Sequence, residues 1–240
     1  MSAIIHAMIP ARIGSTRLKM KNLALVGGEP LIGHAIKAAK ASGAFERIVL
    51  NSDHEVFARV AERYGVEFYC RPAALGTSQT KSDDVVADFM EKHPGDAIAW
   101  VNPTSPLQTG DEIRDVVACF RREKLDTLFT VEDKQVHCLH GDRPINFNPA
   151  GKFAQTQDLV PVRCFVYSVM MWRCETFLSA MKARGCAFFS GRVGYFPVSR
   201  ASGVIVKRAE DLNLVDSMLR ARETSDDEIT YDDLVRSLEG

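Results

Sequence analysis

Long apolar runs are missing from this 240-residue sequence, and its first residues do not have the pattern expected of a secretory leader. No stretch reaches the roughly 18 to 20 consecutive apolar residues that a membrane-spanning helix requires. The first residues also lack the charged region, the long apolar region and the cleavage site of a signal peptide. We therefore expect a cytoplasmic protein that does not enter a membrane.

Neither sign of charge is in excess. Lys and Arg total 30, Asp and Glu total 31, and the formal net charge is −1. Proteins that bind nucleic acids or membrane surfaces broadly carry a large positive excess, so this balance predicts neither partner. Hydrophobic residues make up 46% of the sequence, which is enough for a sizeable core. We predict one domain over residues 1–240.

The six cysteines form no Cys-x-x-Cys pair. This absence argues against a structural zinc site and against the disulfide framework of a small secreted protein. We interpret the cysteines as reduced thiols. His137 and His140 flank Cys138, and a metal role for this stretch stays an alternative that rests on spacing alone.

Common nucleotide-binding and nucleophile motifs are also absent. The sequence contains neither Gly-x-x-x-x-Gly-Lys-Ser/Thr nor Gly-x-Gly-x-x-Gly, so neither a Walker-type phosphate loop nor a dinucleotide fingerprint is predicted. Residue order alone identifies no serine-histidine-acid array. Any nucleotide site must therefore be built from other residues.

A basic loop follows the first apolar run of the chain. The run covers residues 4–9 and predicts a buried strand. Residues 9–22 then combine one glycine, two hydroxyls and four cations: Gly14, Ser15, Thr16, Arg12, Arg17, Lys19 and Lys21. Open α/β sheets bind phosphorylated ligands at the carboxyl end of such a strand, where cations and backbone N–H groups together suit a polyphosphate. A solvated charged loop is the alternative interpretation.

Short apolar runs alternate with helical patterns along most of the chain. Predicted strands cover residues 4–9, 48–50, 66–69, 97–101 and 127–131, and predicted helices lie between them. This alternation requires crossover connections, so we predict an α/β fold with three layers, in which a mainly parallel sheet has helices on both faces. A polar stretch at 133–161 predicts a small β-rich insertion of loops or short antiparallel strands. Further elements are predicted at 164–171, 175–183, 192–196 and 209–222.

Several residues are expected to cap helices. Ser52-Asp53-His54-Glu55 has the form of a capping box, and Ser82 and Thr109 are expected N-caps for helices that end near Lys92 and Arg122. Pro30 suits the first turn of a helix that extends to Ser42. Ser225-Asp226-Asp227-Glu228 predicts the start of a terminal helix.

Two more polar segments follow predicted strands. Arg71-Pro72-Ala73-Ala74-Leu75 comes after one, and Asn102-Pro103-Thr104-Ser105-Pro106-Leu107 comes after another. Because parallel strands share a direction, we expect both segments to meet the basic loop at one rim of the sheet. An ordinary surface ion pair at Arg71 and an ordinary turn at 102–107 are the alternatives.

The order and spacing of these segments resemble the acylneuraminate cytidylyltransferase family, the CMP-sialic acid synthetases. The similarity covers residues 4 to about 131, with a weaker continuation at 156–161 and 209–212. Its motifs are IPARIGSTRLKMKN, GGEPLIGHAI, NSDHEVFARVAERYG, RPAAL and NPTSPL.

The resemblance implies a nucleotide-diphospho-sugar transferase-like fold and transfer of CMP from CTP to an acidic 2-keto sugar, with release of pyrophosphate. Arg12, Gly14, Ser15, Lys21 and Asn22 would bind the nucleotide, together with Arg71 and Ser82. Arg12 and Lys21 would also be catalytic. Mg²⁺ is the cofactor that the family implies.

The sequence departs from the family pattern at several positions. Asn102 replaces a usual glutamine that faces the acceptor sugar, Thr16 replaces a lysine, and Met170 stands where a tyrosine is expected. On the most natural alignment, Ile205 and Lys207 replace the Asp-x-Asp pair that holds Mg²⁺. The usual metal ligands are thus replaced and the residues that would bind a metal are unknown.

Lys207 could supply a positive charge directly to the phosphates, as an ammonium does without a metal, and we include it among the catalytic candidates. Alternatively, residues 204–206 form a buried strand and Lys207 is its solvated end. Asp53 and Asp211 are possible replacement metal ligands.

Gln157 and Arg163 are candidates for the sugar's hydroxyl or carboxylate, since arginine can bind a carboxylate through two hydrogen bonds. The resemblance further implies a homodimer paired through residues 133–161. Three functions stay open: a cytidylyltransferase for N-acetylneuraminate or a related nonulosonate, a catalytically degenerate nucleotide- or sugar-binding homologue, and a nucleotidyltransferase for another base or sugar.

Overall fold

The computed structural model describes residues 3–15, 17–224, 229 and 231. The expected cap at 225–228 and Thr16 lie outside the described residues. Three 3-10 helices cover Lys21–Leu23, Ala73–Gly76 and Thr156–Asp158. The α-helices are Leu31–Ser42 (α1), Val56–Tyr64 (α2), Ser82–Lys92 (α3), Gly110–Arg122 (α4), Cys174–Arg184 (α5) and Ala209–Thr224 (α6). The strands are Ile5–Ala11 (β1), Leu25–Val26 (β2), Glu29–Pro30 (β3), Arg47–Ser52 (β4), Glu67–Cys70 (β5), Ala97–Val101 (β6), Thr127–Lys134 (β7), Leu139–His140 (β8), Arg143–Pro144 (β9), Val162–Arg173 (β10) and Val193–Pro197 (β11).

Seven strands form the main sheet in the order β5-β4-β1-β6-β10-β7-β11. All neighbouring pairs are parallel except those of β10, which runs antiparallel to both β6 and β7. The predicted mainly parallel sheet is confirmed, and β2-β3 and β8-β9 form two small extra sheets.

The side chains of β1 show how the sheet separates two cores. Ile5, Ala7 and Ile9 pack with α1, α2 and α4 on one face. Met8 points to the opposite face, where it joins Phe89 of α3 and other residues of α3 and α5. Successive side chains of a strand alternate between faces, so one apolar strand serves both cores and the helices cover both sides as predicted.

A third, smaller cluster holds the loop before α6 against the rest of the fold. Val206 and Val215 are fully buried there beside Leu31 and Leu107. This contact brings a segment from near the end of the chain to the rim where β1 and β6 end.

Three local predictions were wrong. Ser52 is the last residue of β4, and its hydroxyl accepts the N–H of His54 at 3.3 Å, so it does not cap α2, which begins at Val56. Ser82 is the first residue of α3, whose N-cap is Lys81. Pro30 belongs to β3 and lies just before α1.

The cap at Thr109 is confirmed, because its hydroxyl accepts the N–H of Glu112 at 3.2 Å. Among the residues that the structure describes, no helix is long and apolar enough to cross a membrane.

Candidate active site

A cavity of about 590 Å³ opens at the rim where β1, β5 and β6 end. Its lining combines the loop after β1, the segments that follow β5 and β6, the middle of β10 and the loop before α6. The candidate residues from the sequence that line it are Arg12, Ser15, Lys21, Asn22, Arg71, Ser82, Asn102 and Lys207. Segments that are far apart in the chain thus meet at one site, as the parallel sheet predicts.

Three candidates are not among the described lining residues. Gly14 is exposed in the loop after β1, and no described atom lies within 4 Å of the place where a Cβ would stand. Gln157 lies in the third 3-10 helix, and its side chain donates to Gln155. Arg163, on β10, pairs with Asp133 at 3.2 Å.

The loop after β1 is held from two sides. The backbone N–H of Ile13 donates to Asp53 Oδ1 at 3.1 Å, and Arg12 Nη1 donates to the carbonyl of Thr77 at 3.3 Å. Asp53 therefore braces this loop. It is not among the described residues that line the cavity.

Lys21 lies at the start of a 3-10 helix, next to Met20, which has left-handed backbone with φ of 49°. Its Nζ donates to the carbonyl of Val206 at 3.0 Å, which links the first loop to the loop before α6. Partial burial lowers the pKa of Lys21, and the nearby cations Arg17 and Arg12 lower it further. The ammonium is thus held in a place where an anion would be stabilising.

Asn22 lines the cavity and carries an unpaired, buried polar atom. Its side chain is buried, with 7% of the residue exposed, and its Oδ1 has no hydrogen-bond partner in the described part of the chain. Buried polar atoms of native proteins are nearly always hydrogen-bonded, so an unpaired acceptor on a residue that lines a cavity is a candidate partner for a ligand that donates.

Arg71 is buried behind the rim rather than solvated. Its guanidinium donates to the carbonyl of Asn51 at 2.8 Å, to Asn51 Oδ1 at 3.3 Å and to the carbonyl of Leu75 at 3.2 Å. Burial lowers the pKa of Arg71, and Asp53 acts in the opposite direction. No ion pair of Arg71 occurs among the described contacts, so the surface ion-pair alternative is wrong.

Asn102 uses its amide to shape the rim. Its Nδ2 donates to the carbonyl of Tyr167 at 3.1 Å, while its Oδ1 accepts from the backbone and hydroxyl of Thr104 at 3.0 and 2.9 Å. These bonds tie the end of β6 to the middle of β10.

A bulge in β10 brings aromatic rings into the cavity, and the sequence did not predict it. The register with β7 shifts between Phe165 and Met170, and Tyr167 has φ of 55°. The rings of Phe165 and Tyr167 stack at 5.4 Å, and both residues line the cavity. Met170 is 5% exposed and packs in the core, as its sequence context indicated. The hydroxyl loop that contains Thr77 and Thr80 is a second lining segment without a sequence signal.

Residues 204–206 are not a strand, which corrects one interpretation of this segment. Val206 is anchored by its buried side chain and by its N–H, which donates to the carbonyl of Thr104 at 2.8 Å. The next two N–H groups, of Lys207 and Arg208, donate to Asp211 Oδ2 at 2.7 and 2.8 Å. The bond from Lys207 makes the largest contribution to lowering the pKa of Asp211.

The charged side chains that line the cavity are all cationic in the part of the chain that the structure describes: Arg12, Arg17, Lys21, Arg71 and Lys207. A smaller neighbouring cavity of about 340 Å³ contains the carboxylates of Glu132 and Asp211 and shares Lys207. No group of three or more His, Cys, Asp or Glu side chains within the described ranges could hold a metal ion, and this includes His137, Cys138 and His140.

Comparison with known proteins places these features in a family. Residues 6–148 match the family described as Cytidylyltransferase. The N-acylneuraminate cytidylyltransferase of Escherichia coli O18:K1:H7 is 32% identical over 118 residues, which are 49% of this chain and 28% of that protein. The CMP-N,N'-diacetyllegionaminic acid synthase of Legionella pneumophila is 38% identical over 119 residues, 47% of this chain and 51% of that protein.

The chain spans only part of these relatives, between 28% and 51% of their length. A solved structure of CMP:2-keto-3-deoxy-manno-octonic acid synthetase complexed with CTP superposes with a TM-score of 0.70 at 14% identity. It covers 92% of this chain and 100% of that one, which shows that the fold is shared. The family match covers more than half of the sequence and includes the loop after β1 and the segments after β5 and β6. This chain belongs to the cytidylyltransferase family.

Proposed function

We propose that this protein transfers CMP from CTP to an acidic 2-keto sugar, N-acetylneuraminate or a related nonulosonate, and releases pyrophosphate. The observation that carries the proposal is the wholly cationic lining of a cavity at the strand ends of a cytidylyltransferase. Such a lining suits a ligand with several negative charges. The acceptor class comes from the names of two relatives, an N-acylneuraminate cytidylyltransferase and a CMP-N,N'-diacetyllegionaminic acid synthase.

In this proposal, Arg12, Ser15 and Lys21 bind the triphosphate, with Gly14 allowing close approach of the backbone. Asn22 accepts a hydrogen bond from the nucleoside through its unpaired Oδ1, and Arg71 and Ser82 border the base and ribose. Asn102 lies toward the acceptor.

The chemistry is displacement at the α-phosphorus. The sugar hydroxyl oxygen forms the new bond to the α-phosphorus and its proton passes to water, while the bond from the α-phosphorus to the oxygen that bridges it to the β-phosphate breaks and pyrophosphate leaves. Lys21, Arg12 and Lys207 stabilise the negative charge that grows on the phosphate oxygens. Tyr167 and Phe165 also line the cavity, where ring faces can exclude water from the acceptor.

Gln157 and Arg163 stay in the proposal as contacts to the sugar. Neither lines the cavity of this one chain, so the proposal places them there through the homodimer, with residues 133–161 as the pairing segment of a single domain over 1–240. The proposed location is the cytoplasm.

Mg²⁺ is the cofactor that the family resemblance implies. Mg²⁺ prefers carboxylate and water oxygens in octahedral geometry. The described lining carries cations and no carboxylate, so it does not fit a protein-ligated Mg²⁺. No step of the proposed reaction depends on the metal.

The test is incubation of the full chain with CTP and a panel of nonulosonic acids, with pyrophosphate release as the measurement. The reactions are run separately with Mg²⁺, with Mn²⁺ and with a chelator, so that the metal requirement is measured as well. We expect release that depends on both CTP and one class of sugar. Silence across the whole panel contradicts the proposal.

Asn22→Ala gives a residue-specific check. We expect KM for CTP to rise by about tenfold, since a hydrogen bond to a ligand is worth on the order of 1 kcal/mol or more. Asn213→Ala, an exposed asparagine on α6, is the matched control and should leave KM unchanged. Equal KM values for the two variants would remove Asn22 from the nucleotide site.

A nucleotide- or sugar-binding homologue without turnover is the second candidate. The cationic lining without carboxylates favours it, because nucleotide binding would survive while metal chemistry is lost. Calorimetry with CTP and the pyrophosphate assay together decide between the two candidates. CTP binding in calorimetry, without pyrophosphate release on any sugar, supports the binding protein.

A further inference from the structure

The charge balance of the cavity differs from that of a metal-assisted phosphate site. Five cationic side chains line it, and no lining residue that the structure describes is acidic. The pKa of Lys21 is lowered mainly by burial, then by Arg17 and Arg12 and least by Lys207, while Asp211, which does not line the cavity, acts in the opposite direction. A polyanion reduces the repulsion among clustered cations. A polyanion whose charge a bound divalent ion has already lowered reduces that repulsion less.

The nearest carboxylates already have partners within the protein. Asp53 accepts the N–H of Ile13, and Asp211 accepts two N–H groups through Oδ2. Glu132 pairs with Lys134 at 3.4 Å. Asp53 and Asp211 thus already hold the first loop and the start of α6, and neither is among the described residues that line the cavity.

Lys207 is well placed to act in place of a metal. Its backbone is fixed by Asp211 and by the buried Val206 before it, while its side chain is exposed and lines both cavities. A flexible ammonium on a fixed backbone can follow phosphate oxygens as a point charge.

We propose that this site binds the nucleotide as its free, metal-free polyanion, with Lys207 and the four neighbouring cations supplying the charge compensation that a divalent cation would supply elsewhere. The inference rests on the proposed function. The inference goes beyond the proposed function because it names the form of CTP that the site selects. Excess Mg²⁺ converts free CTP to its magnesium complex, so added Mg²⁺ is expected to compete with binding rather than support it.

The experiment is titration calorimetry of the full chain with CTP, once with a chelator and once with Mg²⁺ in excess over CTP. We expect a lower Kd in the chelator than in Mg²⁺. A lower Kd in Mg²⁺ overturns the inference and leaves the proposed function intact. Absence of CTP binding in both conditions overturns the proposed function and this inference with it.

In a variant with carboxylates in place of Ile205 and Lys207, Mg²⁺ is expected to strengthen CTP binding, whereas in the wild type it is expected to weaken it. Ile205→Asp with Lys207→Asp places two carboxylates on the rim and leaves the buried Val206 unchanged. We expect its Kd in chelator to rise by about tenfold or more, the loss of one charged contact. We also expect Mg²⁺ to lower its Kd. A variant that binds CTP like the wild type in both conditions overturns the inference.

Lys207→Met keeps the inference testable if the double variant does not fold. It removes the charge and keeps the length of the side chain, and we expect its Kd in chelator to rise by about tenfold without recovery in Mg²⁺. Lys182→Met, at an exposed position on α5, is the control and should match the wild type. Equal Kd values for Lys207→Met and Lys182→Met in chelator overturn the role of Lys207.

Discussion

Lys21 is a residue whose protonation the folded protein disfavours, because its ammonium is partly buried beside other cations. A group with a pKa below its unfolded value of 10.5 binds fewer protons in the folded state than in the unfolded state over the interval between the two values. Stability therefore rises with pH through that interval and does not change with this group below it.

The first prediction compares the wild type with Lys21→Met, which lacks the titrating group. The difference in free energy of unfolding, wild type minus variant, should rise as pH increases through the interval between the lowered pKa and 10.5. Urea unfolding at several pH values measures it. A difference that falls with pH in this range contradicts the pKa direction. Bound CTP should flatten the slope, because phosphate restores the charged form.

The second prediction compares the stability of alanine variants at two glycines, Gly110 in a crowded place and Gly14 in an open one. A Cβ on Gly110 would lie 2.7 Å from Ala41 Cβ and 2.9 Å from the backbone nitrogen of Ser42, where α4 meets the end of α1. Gly110→Ala should lower the free energy of unfolding by about 1 to 3 kcal/mol, since backbone cannot yield cheaply. Gly14→Ala has open space and should leave stability nearly unchanged.

The same pair of variants separates folding from binding. In the proposed function, Gly14 permits close approach of the triphosphate, so Gly14→Ala should weaken CTP binding in calorimetry while its urea midpoint matches the wild type. Gly110→Ala should have a lower urea midpoint than the wild type, while the folded variant should bind CTP with unchanged affinity. Unchanged CTP affinity in Gly14→Ala would take Gly14 out of the nucleotide site.

At the scale of elements, the sequence predicted the existence of the strands better than their ends, since β1 and β4 each extend two residues and β7 three residues beyond the predicted end. Residues 97–101 were predicted as a strand and form β6, and Arg12, Arg71 and Asn102 each follow an apolar run. These residues converge because neighbouring strands joined by helical crossovers run in the same direction and end at the same edge of the sheet. These residues could therefore be placed at one rim from the sequence alone.

Other features depend on tertiary contacts that no local pattern contains. Residues 204–206 are apolar like a strand, but the N–H of Val206 bonds to Thr104 and its side chain packs beside α6, so the segment crosses the rim as a loop. The left-handed backbone of Tyr167 has no local signal such as glycine or asparagine. The aromatic wall of the cavity was therefore not predicted.

The start of α6 carries the third prediction. Asp211 is the third residue of the helix and accepts the N–H groups of Lys207 and Arg208. Asp211→Ala removes both acceptors and should cost about 1 to 2 kcal/mol of unfolding free energy. Because the bonds also fix the backbone of Lys207, CTP affinity should fall as well. Circular dichroism melts and calorimetry measure the two effects.

Glu210→Ala is the matched control for Asp211→Ala. Glu210 is highly exposed and its ion pair with Arg208, at 3.5 Å, is solvated, so little stability depends on it. If both variants lose stability equally, general loss of negative charge at the helix start, rather than the two hydrogen bonds, explains the effect.

At the scale of the whole molecule, residues 133–161 expose more apolar surface than a short polar insertion requires. Phe153 is 85% exposed and Val160 is 75% exposed, and Val136, Leu139 and Ile145 are about half exposed or more. His137 stacks on Phe153 at 4.2 Å, which holds that ring in place. Large apolar side chains left exposed in one segment are typical of a protein interface.

The fourth prediction is that the chain is a homodimer in solution and that Phe153→Lys weakens it. Placing a charge in an apolar interface leaves it desolvated and unpaired, so the dimer dissociation constant should rise by at least about a hundredfold, the equivalent of roughly 3 kcal/mol. Light scattering across a dilution series measures this change. Leu214→Lys, which also replaces an exposed apolar residue but lies on α6, should stay dimeric. If the wild type is a monomer at all concentrations, residues 133–161 do not pair subunits, and the proposed route for Gln157 and Arg163 to reach an acceptor sugar is lost with them.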